Sequence, residues 1–142
     1  MKGSKDILSS ILKTTQMGQI GIRSVLKAPL RAQLRTALKD QLKEYDSIEQ
    51  EAHSIASQRG WELEELDPAI KAMSNMMTKM QLSFGNVNSK AAAMMITGNT
   101  RGMIKSLKNL HQFSSSDERV SILSRKLLDC EEENIRQMQG FV

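Results

Sequence analysis

Long stretches of this chain repeat apolar side chains every three or four residues, and only Pro29 and Pro68 supply proline breaks. That spacing gathers apolar groups on one side of an α-helix, whereas a half-buried strand needs strict alternation. The stripes are Ile7, Leu8, Ile11, Leu12, Ile22, Val25 and Leu26; then Leu34, Leu38, Tyr45, Ile48, Ala52 and Ile55; then Ala69, Ile70, Met73, Met76, Met77, Met80 and Phe84. Two more follow: Ala92, Met95, Ile96, Met103, Leu107 and Leu110, and Val120, Leu123, Leu127, Leu128, Ile135 and Met138. No run alternates Val, Ile or Thr with polar residues, and aromatics are only 4% of the chain. Sheets draw more heavily on β-branched and aromatic residues, so an all-α fold is expected.

Helix punctuation divides the stripes into five segments, at about 6–27, 30–58, 68–83, 90–113 and 117–139. Ser4 is the expected first N-cap, and Pro29 is placed in the opening turn of the second helix. Gly60 is a natural stop, and Asp67-Pro68 a start. Asn88 or Ser89 is expected to cap the fourth segment, while Ser115 and Glu118 have the spacing of a capping box. The short connections near Pro29 and Ser114–Ser116 make two antiparallel hairpins. The longer link between them, carrying the third segment, is long enough to run the height of a bundle. One domain over residues 1–142 is expected. Gly18 and Gly21 cost helix propensity mid-stripe, which close packing of a neighbour, or a helix–helix dimer contact, would offset.

Charge is unevenly spread. Residues 1–39 hold eight Lys/Arg against Asp6 alone, and residues 40–66 two against eight acidic groups. Residues 67–113 are again basic, with six against one. Arg23, Lys27, Arg31, Arg35 and Lys39 are not interleaved with aromatics, so no nucleic-acid partner is expected. The longest unbroken apolar run, Ala91–Ile96, is far too short for a membrane span. The interrupted N-terminal stripe makes no signal-peptide core. Cys130 has no partner for an internal disulfide, and its carboxylate-rich setting favours an inert thiol, so a cytoplasmic location is expected.

The layout resembles the ferritin-like superfamily, nearest its small uncharacterised bacterial members of the domain-of-unknown-function kind. The residues carrying the resemblance are Leu38-Lys-Asp-Gln-Leu-Lys-Glu-Tyr45, the Gly60 stop, the Met73–Met80 run and Glu131-Glu-Glu-Asn-Ile135. It implies a ferritin-like four-helix bundle, two antiparallel hairpins joined by a long crossover bearing an extra helix. It also raises a dinuclear metal centre, which needs Glu on two helices and Glu-x-x-His on the other two. Gln50 stands three residues before His53, and Lys108 three before His111, where Glu is required. The first helix segment has Asp6 as its one acidic residue, and the fourth segment has none. No metal or other cofactor is therefore expected, and no nucleophile elbow, phosphate loop or Cys-x-x-Cys points to an enzyme.

Each stripe is instead interrupted near its middle by a polar residue: Thr15 or Gln19, Gln41, Asn99 and Glu131. If the helices align, these meet as a buried polar layer that fixes register. Two other readings are a small-ligand or single-ion pocket, and a Glu131 that faces water beside Glu132 and Glu133. Met73, Met76, Met77 and Met80 share one helical face, suited to core packing or to an adaptable interaction surface. Together these point to a non-enzymatic structural or interaction protein, with a homo-oligomer or a protein partner. The alternative is an atypical ferritin-like metal or small-ligand binder.

Overall fold

Each long helix ends where the sequence supplies a partner for its last or first backbone groups. In a computed structural model, which describes residues 3–70, 72–73, 85–112 and 116–142, the chain is all-α, with no strand among the described residues. The long helices are α1 (Ser4–Val25), α2 (Ala32–Arg59), α3 (Val87–Gln112) and α4 (Glu118–Gln139). Residues 68–70 and 72–73 are also helical.

Several ends differ from expectation, and each for a local reason. Gly3, not Ser4, precedes α1, and its N–H donates to Asp6 Oδ2 at 3.1 Å. Ser4 Oγ is thereby released to accept from the Asp117 N–H at 3.3 Å, which ties the starts of α1 and α4 together. Pro29 lies in the connection rather than in the first turn of α2, which begins after Arg31. The Arg35 guanidinium donates to the carbonyls of Leu26 and Ala28 at 2.8 and 2.7 Å, so a side chain satisfies backbone groups left open at the α1 end. Asn86 caps α3 by accepting from Ser89 N–H at 3.1 Å; Asn88 instead accepts from Arg31 N–H at 2.7 Å. Asp117 caps α4 through the N–H groups of Arg119 and Val120, and Ser115 lies outside the described residues. Gly60 ends α2 with a φ of +69°, a left-handed conformation that glycine adopts without Cβ strain.

Directions follow from contacts along the helices. Gln19 meets Asp46 while Gln16 meets Glu49, so α1 and α2 are antiparallel. Ser10 bonds Asn109 and Gly21 touches Met95, so α1 and α3 are antiparallel as well. Tyr45 meets Asn134 and Arg59 meets Asp117, so α2 opposes α4. Hence α2 and α3 run the same way, as do α1 and α4. The helices α1 and α4 each pack on α2 and α3, which leaves α2 and α3 on a diagonal.

The core is built from Leu8, Ile11, Ile22, Leu34, Leu38, Ile48, Ile55, Leu123, Leu127 and their neighbours. Trp61 and Leu63 pack against it from the link after α2. Helix α3 buries Ala92 and Met95 as its apolar spacing suggests, but is turned so that the rest of that stripe lies at the edge of the inner face. Its buried residues are Ala91, Ala92, Met95, Asn99, Gly102, Ser106 and Asn109, whereas Ile96, Met103, Leu107 and Leu110 are half-buried. Small and polar residues let this helix sit close to the others, so its larger apolar groups pack at the flank. Ile135 and Leu26 are likewise half-buried.

Candidate functional site

The sequence brings one ionisable carboxyl into the middle of the core. Glu131, on α4, is 2% exposed. Its carboxylate lies where a side chain at position 102 would be, since a Cβ there would come 2.7 Å from Glu131 Oε1. Gly102 is therefore the space that α3 leaves for this group. Tyr45, fully buried on α2, supplies the neighbouring phenol. Its hydroxyl donates to Asn99 Oδ1 at 2.8 Å and accepts from Asn134 Nδ2 at 3.3 Å. The ring passes over Gly18 on α1, where a Cβ would come 2.6 Å from Tyr45 Cζ. All four long helices thus meet at one tyrosine and one carboxyl.

Burial governs the electrostatics. It pushes the Glu131 carboxyl up to about 8, and the nearby Tyr45 hydroxyl offsets only part of that rise. The Tyr45 phenol is pushed well above its ordinary value, first by burial and then by the neighbouring Glu131 carboxyl. Cys130 is also raised, by burial and by Glu44, whose Oε2 lies 3.3 Å from its Sγ. The thiol therefore stays protonated and unreactive near neutral pH. It floors a surface groove of about 250 Å³ with Glu44, Ser47, Lys126 and Glu133.

The residues singled out from sequence take different places. Thr15, Gln19, Gln41, Asn99 and Glu131 are all buried. Asn99 and Glu131 gather around Tyr45. Gln41 sits one helical turn before Tyr45 and donates to Gln137 Oε1 at 2.9 Å. Gln19 turns to the α1–α2 seam, donating to Asp46 Oδ1 at 2.9 Å and Glu49 Oε1 at 3.3 Å. Thr15 is buried without a partner for Oγ1. The water-facing alternative for Glu131 is excluded by its burial, while Glu132 and Glu133 do face outward. Met73 is 64% exposed, and Met76, Met77 and Met80 lie outside the described residues.

Sequence reading placed Tyr45 among the apolar stripe and missed Asn134. Asn134 is three residues after Glu131 and seven after Leu127, so helical spacing puts it on the inner face. A buried phenol needs a hydrogen-bond partner, and that requirement was the available signal for Tyr45. Gly18 answers to a side chain, the Tyr45 ring, whereas Gly21 has Met95 at an ordinary 3.9 Å.

Polar valences remain open at the centre. Thr15 Oγ1, Gln41 Oε1, Asn99 Nδ2, Glu131 Oε2 and Asn134 Oδ1 are buried and make no hydrogen bond. Most are acceptors, so a proton held on Glu131 adds a donor where donors are scarce. No group of three or more His, Cys, Asp or Glu among the described residues has an arrangement suited to a metal ion. His53 and His111 are both exposed, and His53 lies 3.9 Å from Glu65.

Among the described residues no helix is long and apolar enough to cross a membrane. No protein-family profile matches the sequence, and no curated protein matches it. Among solved structures the chain is similar to the crystal structure of a DUF305 fragment from Deinococcus radiodurans, at 14% identity. The match has a TM-score of 0.75 and spans 96% of this chain and 93% of that one, a likeness of fold to a domain of unknown function.

Proposed function

We propose that the chain is a single ferritin-like domain, a four-helix bundle whose centre has a structural polar layer in place of a dinuclear metal site. In this reading its role is non-enzymatic, as a structural or interaction protein that meets a protein partner or further copies of itself. The observation that carries it is the donor set around Tyr45. The phenol bonds Asn99 and Asn134, and Glu131 is the one carboxyl beside it. A dinuclear centre needs several carboxylates to bridge and neutralise its ions. A lone buried carboxyl held as the neutral acid suits a register-fixing layer instead. The parallel run of α2 and α3, with the link between them, supports the two-hairpin topology. The exposed Met73 supports an interaction surface at its own position.

Metal titration of the wild type and of Glu131→Gln, read by elemental analysis after dialysis, tests this. Neither protein is expected to retain stoichiometric transition metal. Retention of a metal pair by the wild type and its loss in the variant would overturn the reading. The second reading, an atypical small-ligand binder, is favoured by the unpartnered Asn99 Nδ2 and Asn134 Oδ1. It requires a co-purifying small molecule, which mass spectrometry of the denatured protein would reveal.

A further inference from the structure

Helix α3 carries Lys90, Arg101, Lys105 and Lys108 and no acidic residue. Arg101, Ile104, Lys105 and Lys108 follow i, i+3, i+4, i+7 spacing, one stripe along the helix. All four are exposed, Ile104 at 46%. Arg101, Lys105 and Lys108 form no ion pair with another described residue. The outer face of α3 therefore presents one apolar side chain, Ile104, among three cations.

A surface of opposite character lies elsewhere on the molecule. Where α2 ends, His53, Ala56, Ser57, Trp61, Glu62 and Leu63 line an open groove of about 420 Å³. Glu65 stands beside it, 3.9 Å from His53. The groove has a half-buried indole and a leucine within and carboxylates at its edge. It is larger than one isoleucine side chain. Because α2 and α3 occupy the diagonal, the groove at the end of α2 and the outward basic stripe of α3 belong to different sides of the molecule. Contact between them takes two chains.

We infer that the outer face of α3 of one copy docks on the Trp61 groove of a second copy, Ile104 entering the groove while Arg101, Lys105 and Lys108 meet Glu62 and Glu65. An apolar anchor in an aromatic-lined recess with charges at the rim is the arrangement of a specific interface. The two surfaces differ, so the contact is heterologous and propagates into a ring or a filament rather than closing as a symmetric dimer. Opposite charge sets the orientation and makes assembly weaken as salt rises. The inference rests on the non-enzymatic interaction reading and adds the partner; metal titration and sedimentation test the two separately.

Sedimentation velocity across a concentration series, at low and high salt, is the test. The wild type is expected to assemble with concentration and to dissociate with salt. Two variants reverse one surface each: Arg101→Glu/Lys105→Glu/Lys108→Glu, and Glu62→Lys/Glu65→Lys. Each alone is expected to raise the apparent dissociation constant at least about tenfold, while far-UV circular dichroism and melting stay those of the wild type. An equimolar mixture restores assembly, because each reversed surface then finds its complement on the other variant. A wild type that stays monomeric throughout would overturn the inference, as would reversal without effect. Dissociation that the mixture does not repair would overturn the second copy as occupant, leaving an acidic partner of another kind.

Discussion

Replacing Glu131 by Gln isolates the one carboxyl at the centre of the core. In the folded chain this group titrates at about 8, against an ordinary value of 4.5, because burial disfavours its anion. A carboxyl whose folded value is raised holds its proton more tightly in the native state than in the unfolded one. Between those two values the native state carries the extra proton, so stability falls as pH rises through that window. Below 4.5 both states are protonated and the effect vanishes; above 8 the full cost is present. The slope within the window approaches 1.4 kcal/mol per pH unit, and the whole cost is on the order of 3–5 kcal/mol. Gln keeps the shape and neutral charge of the protonated acid without titrating. The variant should therefore match the wild type within about 1 kcal/mol near pH 5 and exceed it by several near pH 9. Urea unfolding followed by circular dichroism at a series of pH values measures this. The difference between the two proteins cancels the other titrating groups. Parallel pH profiles would show that Glu131 is hydrated or paired in solution, and the account of a desolvated neutral acid would fail.

The glycines of α1 give opposite signs. Gly18→Ala drives a Cβ to 2.6 Å from Tyr45 Cζ, so the ring and its hydrogen bonds must shift; a loss of about 1–3 kcal/mol is expected despite the gain in helix propensity. Gly21→Ala meets nothing closer than Met95 at 3.9 Å and should raise stability by about 0.5–1 kcal/mol, both effects read as melting temperatures. Tyr45→Phe removes the hydroxyl that Asn99 and Asn134 share, leaving two buried amides short of a partner, and should cost about 1–3 kcal/mol in chemical unfolding. Asp117→Ala removes the α4 cap and the Arg59 contact at 2.7 Å, with an expected loss of about 1–2 kcal/mol near neutral pH. The hydrogen bond from Arg59 holds the Asp117 carboxyl below its usual range, so this contribution fades as pH falls through that lowered value, and wild type and variant should converge in strong acid.

Helical periodicity exposed the helices because it reports only on burial along one axis. Stripes such as Leu34, Leu38, Tyr45, Ile48 and Ala52 point inward regardless of what they face. The polar interruptions at Thr15, Gln41, Asn99 and Glu131 were visible for the same reason, since each occupies a position that spacing assigns to the inner side. Spacing along one helix cannot say which neighbour a side chain reaches across the core. Gln19 shares the inner stripe of α1 but lies at its edge, where Asp46 and Glu49 draw its amide out to the seam. Helix α3 shows the opposite failure. Gly102 and the alanines near its start permit close approach, and close approach turns Asn99, Ser106 and Asn109 inward and leaves Leu107 and Leu110 at the flank. Hydrophobicity alone favours the leucines. The space a glycine leaves, filled here by the Glu131 carboxyl, outweighs that preference. The two glycines and the tyrosine are therefore parts of one arrangement. Gly18 makes room for the Tyr45 ring, Gly102 makes room for Glu131, and together they set the register in which the phenol and the acid meet.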